Sequence, residues 1–375
     1  MRSDERPFSF GRRTLLGLAG LAAAEHLAGF PKAQAEHDAP RVVLITLGGI
    51  RREESFSEEG VVYIPNLFQR LLPQALFYPY VVNEGVTAHV NTISSILTGA
   101  WQRLDDWGQH RARQPTLFAY LQKQRHLSPA ATWVVTSNKA VTRNIAPEAN
   151  VILSKQLMIE AVERIIQGHA STRLLNRESL LEEMKTVMLA EYERIGWSVP
   201  SMNPNTKAAL LGGVTNFMRG PEGATGGDEL TFIVAREVLR RVVPTMMMIN
   251  FSGMEVAHSG TYSLHLAGIR NVDSLCNRMW RFLQSNEDYR DRTTLVVMPE
   301  FGRDPDGSTT NGFFNHRTDT NTNRVTWMMM LGQAVREPAV VERVIRQIDL
   351  APTLGALLGV ECKRASGRLL PEISV

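Results

Sequence analysis

Six side chains able to bind metal or move protons fall in loops that follow apolar runs: His89, Glu255, His258, Glu300, Asp304 and His316. Gathered at one place, such imidazoles and carboxylates bind zinc or another divalent ion, because both offer lone pairs to a Lewis acid. Hydroxyls stand at Thr87, Thr92, Ser94 and Ser95, and any of them is a candidate nucleophile. Arg51, Arg52 and Arg303 supply cations suited to an anionic substrate through charge-assisted hydrogen bonds. Taken singly, each of these residues reads as an ordinary loop residue that caps a helix or holds a turn. Taken as a set on successive strand ends, the functional and the ordinary readings balance.

The elements that must position this set follow from hydrophobic period and punctuation. Val42 to Leu47 is a short continuous apolar run closed by Gly48-Gly49, as expected of a central strand buried on both faces. Strands are expected at 76–82, 132–136, 245–251, 294–298 and 325–331, and helices at 65–72, 91–97, 115–122, 269–283 and 350–358. Strand and helix signals also resume over 230–241. The alternation predicts an α/β fold, with a largely parallel central sheet and helices on both faces. In such a sheet the functional residues collect in loops at the carboxyl ends of the strands. Residues 155–227 read as an insert, helical in period up to Trp197 and then a long Pro-, Asn- and Gly-rich loop.

The order of the pieces resembles the alkaline phosphatase and sulfatase superfamily over nearly the whole chain after residue 35. Leu47-Gly48-Gly49-Ile50-Arg51 is similar to the family's Asp-Gly-x-Arg turn, and Ser95-Ile96-Leu97-Thr98-Gly99 to its Leu-x-Thr-Gly helix end. Pro115-Thr116-Leu117 opens a helix of the family's Pro-Thr-Leu type, and Asp349-Leu350-Ala351-Pro352-Thr353 through Leu358-Gly359 resembles its closing motif. The departures bear on the site. Gly48 stands where the first metal-binding Asp belongs, Met254 where an Asp precedes His258 by four residues, and Phe301 where a His follows a carboxylate.

The resemblance therefore implies an alkaline-phosphatase-like fold with a reduced metal site. Glu255, His258, Glu300 and His316 remain as ligands for one divalent ion, zinc first. Counting back ten residues from Gly99 puts His89 at the nucleophile position, with Thr87 two residues away. Thr87, His89, Arg51 and Arg303 are the expected catalytic residues. The implied chemistry is hydrolysis of a small anionic phosphate or sulfate ester. The alternative is a binding or scaffolding protein that keeps the fold without the ion or the chemistry.

The ends and the composition add where this takes place. Arg12-Arg13, an apolar stretch from Leu15 to Leu27 and the small-x-small site Ala33-Gln34-Ala35 read as a twin-arginine export signal over residues 1–35. Periplasmic or secreted localisation is the expectation. Glu25 and His26 break the apolar stretch well short of the roughly 20 residues a bilayer requires, so stable membrane insertion is not expected. Removing those 35 residues takes away five basic and three acidic side chains, so the formal charge falls from +3 to +1. That balance does not suggest a nucleic-acid-binding surface, and no protein partner is indicated. Cys276 and Cys362 are either one bridge or two buried thiols.

Overall fold

The computed structural model describes residues 39–141, 144–154, 227–307 and 312–373, with isolated positions between 185 and 211. The expected export signal over residues 1–35 and nearly all of the 155–227 insert lie outside the described residues.

Among the described residues, nine strands form a single sheet. They are β1 (Arg41–Leu47), β2 (Leu76–Val82), β3 (Thr132–Thr136), β4 (Asn150–Leu153), β5 (Met246–Phe251), β6 (Thr293–Pro299), β7 (Val325–Gly332), β8 (Ala339–Val340) and β9 (Ile345–Arg346). The order is β4-β3-β5-β1-β6-β7-β2-β8, with β9 also paired to β2. β7 runs antiparallel to both β6 and β2, and every other pairing is parallel. The sheet is thus largely parallel, as the sequence suggests. β4, β8 and β9 were not expected, being only four, two and two residues long.

Helices cover both faces, because the central strands carry apolar side chains on both sides rather than on alternate positions only. Val43, Ile45 and Leu47 pack on one side with α3 (Gly227–Val242) and α4 (Tyr262–Ser285). Val42 and Leu44 pack on the other with α1 (His89–Thr98), α2 (Leu117–Arg125) and α5 (Leu350–Leu357). Each fully buried aliphatic side chain of this kind contributes about 1.5–3 kcal/mol relative to exposure. Residues 67–71 form a π-helical turn rather than the expected ordinary helix. Its first N–H groups are met by the Asp273 carboxylate of α4, at 3.1 Å from Asn66 N and 2.7 Å from Leu67 N. Both cysteines are buried and free, which settles the choice between a bridge and two thiols. Among the described residues no helix is long and apolar enough to cross a membrane.

Candidate metal centre

The loops after the three central strands β5, β1 and β6 are tied together before any site residue is placed. Gly48 N–H donates to Phe251 O at 2.9 Å, Glu300 N–H to Leu47 O at 2.8 Å, and Ile50 N–H to Phe301 O at 3.1 Å. Glu255 and His258 stand three residues apart in the short helical stretch 253–259 that follows β5. That spacing puts both on one face of a tight helix. His316 precedes β7 in the chain. Because β7 runs opposite to its neighbours, its amino end lies at the carboxyl edge of the others, and His316 arrives at the same edge. His89 opens α1, which follows β2.

Four of these side chains converge: one ligand atom each from His89, Glu255, His258 and His316 lies within 4.8 Å of the others. His258 Nε2 is 3.2 Å from His316 Nε2 and 3.0 Å from Glu255 Oε2. His89 Nε2 is 3.4 Å from that same carboxylate oxygen. His316 Nδ1 lies 2.7 Å from the Thr87 carbonyl, which can only accept, so the proton sits on Nδ1 and the Nε2 lone pair faces His258. Phe301 stacks on the His316 ring at 4.2 Å between centroids and 24° between planes, and fixes its orientation.

Glu300, expected as a ligand, stands one step back. Its Oε2 accepts from His89 Nδ1 at 2.7 Å and its Oε1 from Asn250 Nδ2 at 2.6 Å, so both oxygens are engaged away from the group. This is the carboxylate–histidine pairing that orients an imidazole from behind. Asn250 escaped the sequence reading, although an amide inside the Met246–Phe251 apolar run was a visible signal. Thr46 Oγ1 and Thr136 Oγ1 complete its hydrogen bonds at 3.0 and 2.8 Å.

The polar atoms of three expected catalytic residues are engaged by protein partners. The Thr87 hydroxyl donates to His316 O at 2.7 Å and accepts from Asn323 at 3.1 Å, so it is committed to the loop that carries His316. Arg51 is buried and tied to Glu54 at 2.7 Å and to Asp306 at 2.9 Å, outside the group. Arg303 is fully buried. Its Nε donates to Gly49 O at 3.0 Å, its Nη1 to Phe313 O at 3.1 Å, and its Nη2 lies 2.7 Å from Glu255 Oε2. It therefore faces the metal-ligand candidate Glu255. Asp304 accepts from Thr318, also outside the group. Thr92, Ser94 and Ser95 are buried along α1.

The charges are strongly coupled. Burial opposes the His89 cation, but the Glu255 and Glu300 carboxylates outweigh it and raise the imidazole to about 10. Burial pushes the Glu255 carboxyl up, yet Arg303 and then His89 reverse this and hold it well below the usual carboxylate range. Burial raises Glu300, with His89 only partly offsetting it. His316 is lowered to about 3, chiefly by burial, so it is neutral and able to act as a ligand at physiological pH.

Gly48 acquires a reason here. A Cβ at position 48 would lie 2.5 Å from Glu255 Oε1 and 2.8 Å from Met254 Sδ. Glu255 thus fills the volume a side chain at 48 would occupy, and its Oε1 accepts from Gly49 N–H at 2.5 Å. Gly48→Ala is expected to destabilise the protein by about 1–3 kcal/mol through overpacking. Denaturant titration of the variant checks this, and an unchanged midpoint would show that Glu255 moves freely.

No protein-family model matches the chain, and no curated protein matches it. Solved structures do. Wild-type alkaline phosphatase PafA aligns with a TM-score of 0.53 at 10% identity, covering 89% of this chain and 99% of that one. An alkaline phosphatase superfamily protein from Vibrio parahaemolyticus gives 0.50 at 14% identity, over 88% and 69% of the two chains. The 2-O GAG sulfatase BT1596 gives 0.50 at 10%, over 88% and 73%. With the strand order and the two helical layers, these likenesses show that the chain has the fold of the alkaline phosphatase superfamily.

Proposed function

We propose that the protein hydrolyses phosphate or sulfate esters with one divalent ion, zinc first, and that residues 1–35 direct it out of the cytoplasm. The observation that carries the metal reading is that His258 Nε2 lies 3.2 Å from His316 Nε2 and 3.0 Å from Glu255 Oε2, within a group whose ligand atoms all lie within 4.8 Å of one another. Atoms bound at about 2.0–2.1 Å to a tetrahedral ion lie roughly 3.3 Å apart, so the set fits zinc with little movement. Glu255 Oε2 is buried and also lies 2.7 Å from Arg303 Nη2, so a bound ion would share this oxygen with the guanidinium. Three protein ligands leave a fourth position open, the pattern of a catalytic rather than a structural zinc site.

A bound ion would polarise the ester and lower the pKa of an attacking water. The chain's own residues supply the rest. The Thr87 hydroxyl is committed to His316 O and Asn323, so water is taken as the attacking oxygen in this reading. His89, held as a cation between Glu255 and Glu300, donates a proton to the leaving oxygen. Arg303 keeps Glu255 ionised and in place. The substrate class comes from the structural relatives, which include a phosphatase and a sulfatase.

A specific observation favours a second reading, a non-catalytic scaffold: Arg303 and His89 already balance Glu255 without an ion. One variant separates the two. His89→Gln is expected to keep the bound ion while hydrolysis of aryl phosphate and aryl sulfate esters falls about 10²–10⁴-fold, the usual worth of a positioned proton donor. Zinc-loaded wild type with no activity on either ester class would leave the scaffold.

A further inference from the structure

A second cleft, sharing no residue with the metal centre, has a volume of about 540 Å³ and is lined by Arg111, Arg113, Lys123, Lys363 and Arg364. All five cations are exposed. Among the described residues, Arg111, Arg113, Lys123 and Arg364 form no ion pair. Lys363 makes only a loose one with Glu361, at 3.7 Å between exposed groups, and such pairs contribute little. The one acidic group on the wall, Glu148, accepts from the Thr116 hydroxyl at 2.9 Å.

The walls are built rather than incidental. Gln124 clamps the carboxyl-terminal segment to α2 from both sides, donating to Glu361 O at 2.8 Å and accepting from Glu361 N–H at 2.9 Å. The Tyr120 hydroxyl accepts from Arg364 N–H at 2.9 Å. On the opposite wall Gln102 accepts from Arg113 N–H at 3.1 Å and donates to Gln114 Oε1 at 2.6 Å. α2 starts in the cleft with Thr116 as its cap, accepting from Ala119 N–H at 3.2 Å, and a helix amino end adds positive potential. Like charges held together repel one another, and a concave wall of one sign focuses its field on an incoming counter-ion. The volume is that of a small-molecule site.

We propose that this cleft binds a compact, multiply charged oxyanion, a small ligand bearing several phosphate or sulfate groups. Guanidinium groups meet such oxygens through paired N–H donors, and lysines act as point charges beside them. The cleft works independently of the metal centre.

Calorimetric titration of the full chain with inositol hexasulfate, and separately with inositol hexakisphosphate, tests this. Saturable binding is expected to both, weakening steeply with added salt, and the ratio of the two affinities reports which oxyanion group the cleft prefers. The Arg111→Ala/Arg364→Ala double variant is expected to lose at least about tenfold in affinity, and Lys123→Ala/Lys363→Ala should reproduce the loss if the first variant folds poorly. His316→Ala should bind like wild type, which separates this cleft from the proposed active site. Equal affinity in wild type and both double variants overturns the proposal, as does preference for a single-stranded oligonucleotide over either inositol ester.

Discussion

His316→Ala is expected to remove the divalent ion from the protein almost completely, and ester hydrolysis with it. His316 is the best-prepared of the four candidate ligands. The Thr87 carbonyl fixes its tautomer, Phe301 holds its ring, and burial keeps it neutral with a pKa near 3. Losing an outer hydrogen bond to a ligand typically costs 10–100-fold in metal affinity, so losing the ligand itself should cost at least about a hundredfold. Elemental analysis of wild type should find about one divalent ion per chain, and the variant a small fraction of that. Wild type without a stoichiometric ion would sink the metal reading and leave four residues in an ion-pair network. A variant that retains its ion would move the ligand set towards His89.

The second large effect is on stability. Arg303→Met is expected to cost about 3–5 kcal/mol, because it leaves the Glu255 carboxylate buried without its strongest counter-charge. Two backbone carbonyls, Gly49 O and Phe313 O, lose their donors in the same step. The sign with pH follows from the depressed Glu255 carboxyl. Its stabilising contribution is complete above the ordinary glutamate pKa of about 4.3 and disappears as the pH falls through the lower folded value. The deficit of Arg303→Met should therefore be full at neutral pH and shrink in acid. Arg343→Met, which breaks the partly exposed pair with Glu372, should cost no more than about 1 kcal/mol. Equal denaturation midpoints for the two variants would show that Arg303 carries no special electrostatic role. Adding Glu255→Gln to Arg303→Met should recover part of the loss, since the buried charge is then gone.

The sequence by itself determined the layers of this protein. Runs such as Val42–Leu47 and Met246–Phe251 are apolar on both alternating sides, save Thr46 and Asn250, as expected of a strand buried on both faces, and the helices between them carry the complementary apolar sides. It also placed His258, His316, His89 and Glu255 in loops of one sheet edge, because strand ends are legible from local pattern. The short strands β4, β8 and β9 were not legible, since two to four residues hold too little period to read.

Which of those loop residues reach the group, and in what role, only the tertiary structure decided. Glu300 and Glu255 look equivalent as carboxylates after strands, yet Asn250 and His89 take both oxygens of Glu300 and leave Glu255 facing the imidazoles. Arg51 and Arg303 look equivalent as loop cations, yet Arg51 turns to Glu54 and Arg303 to Glu255. Thr87 reads as a nucleophile by type, but its hydroxyl is taken by partners 229 and 236 positions away in the chain. The basic cleft joins residues 111–123 to residues 363–364, while the net charge of the chain is close to neutral. Local pattern reports where a residue lies along the chain and which way its strand faces. The partner that captures each polar atom comes from remote segments, and is set only when packing brings them together.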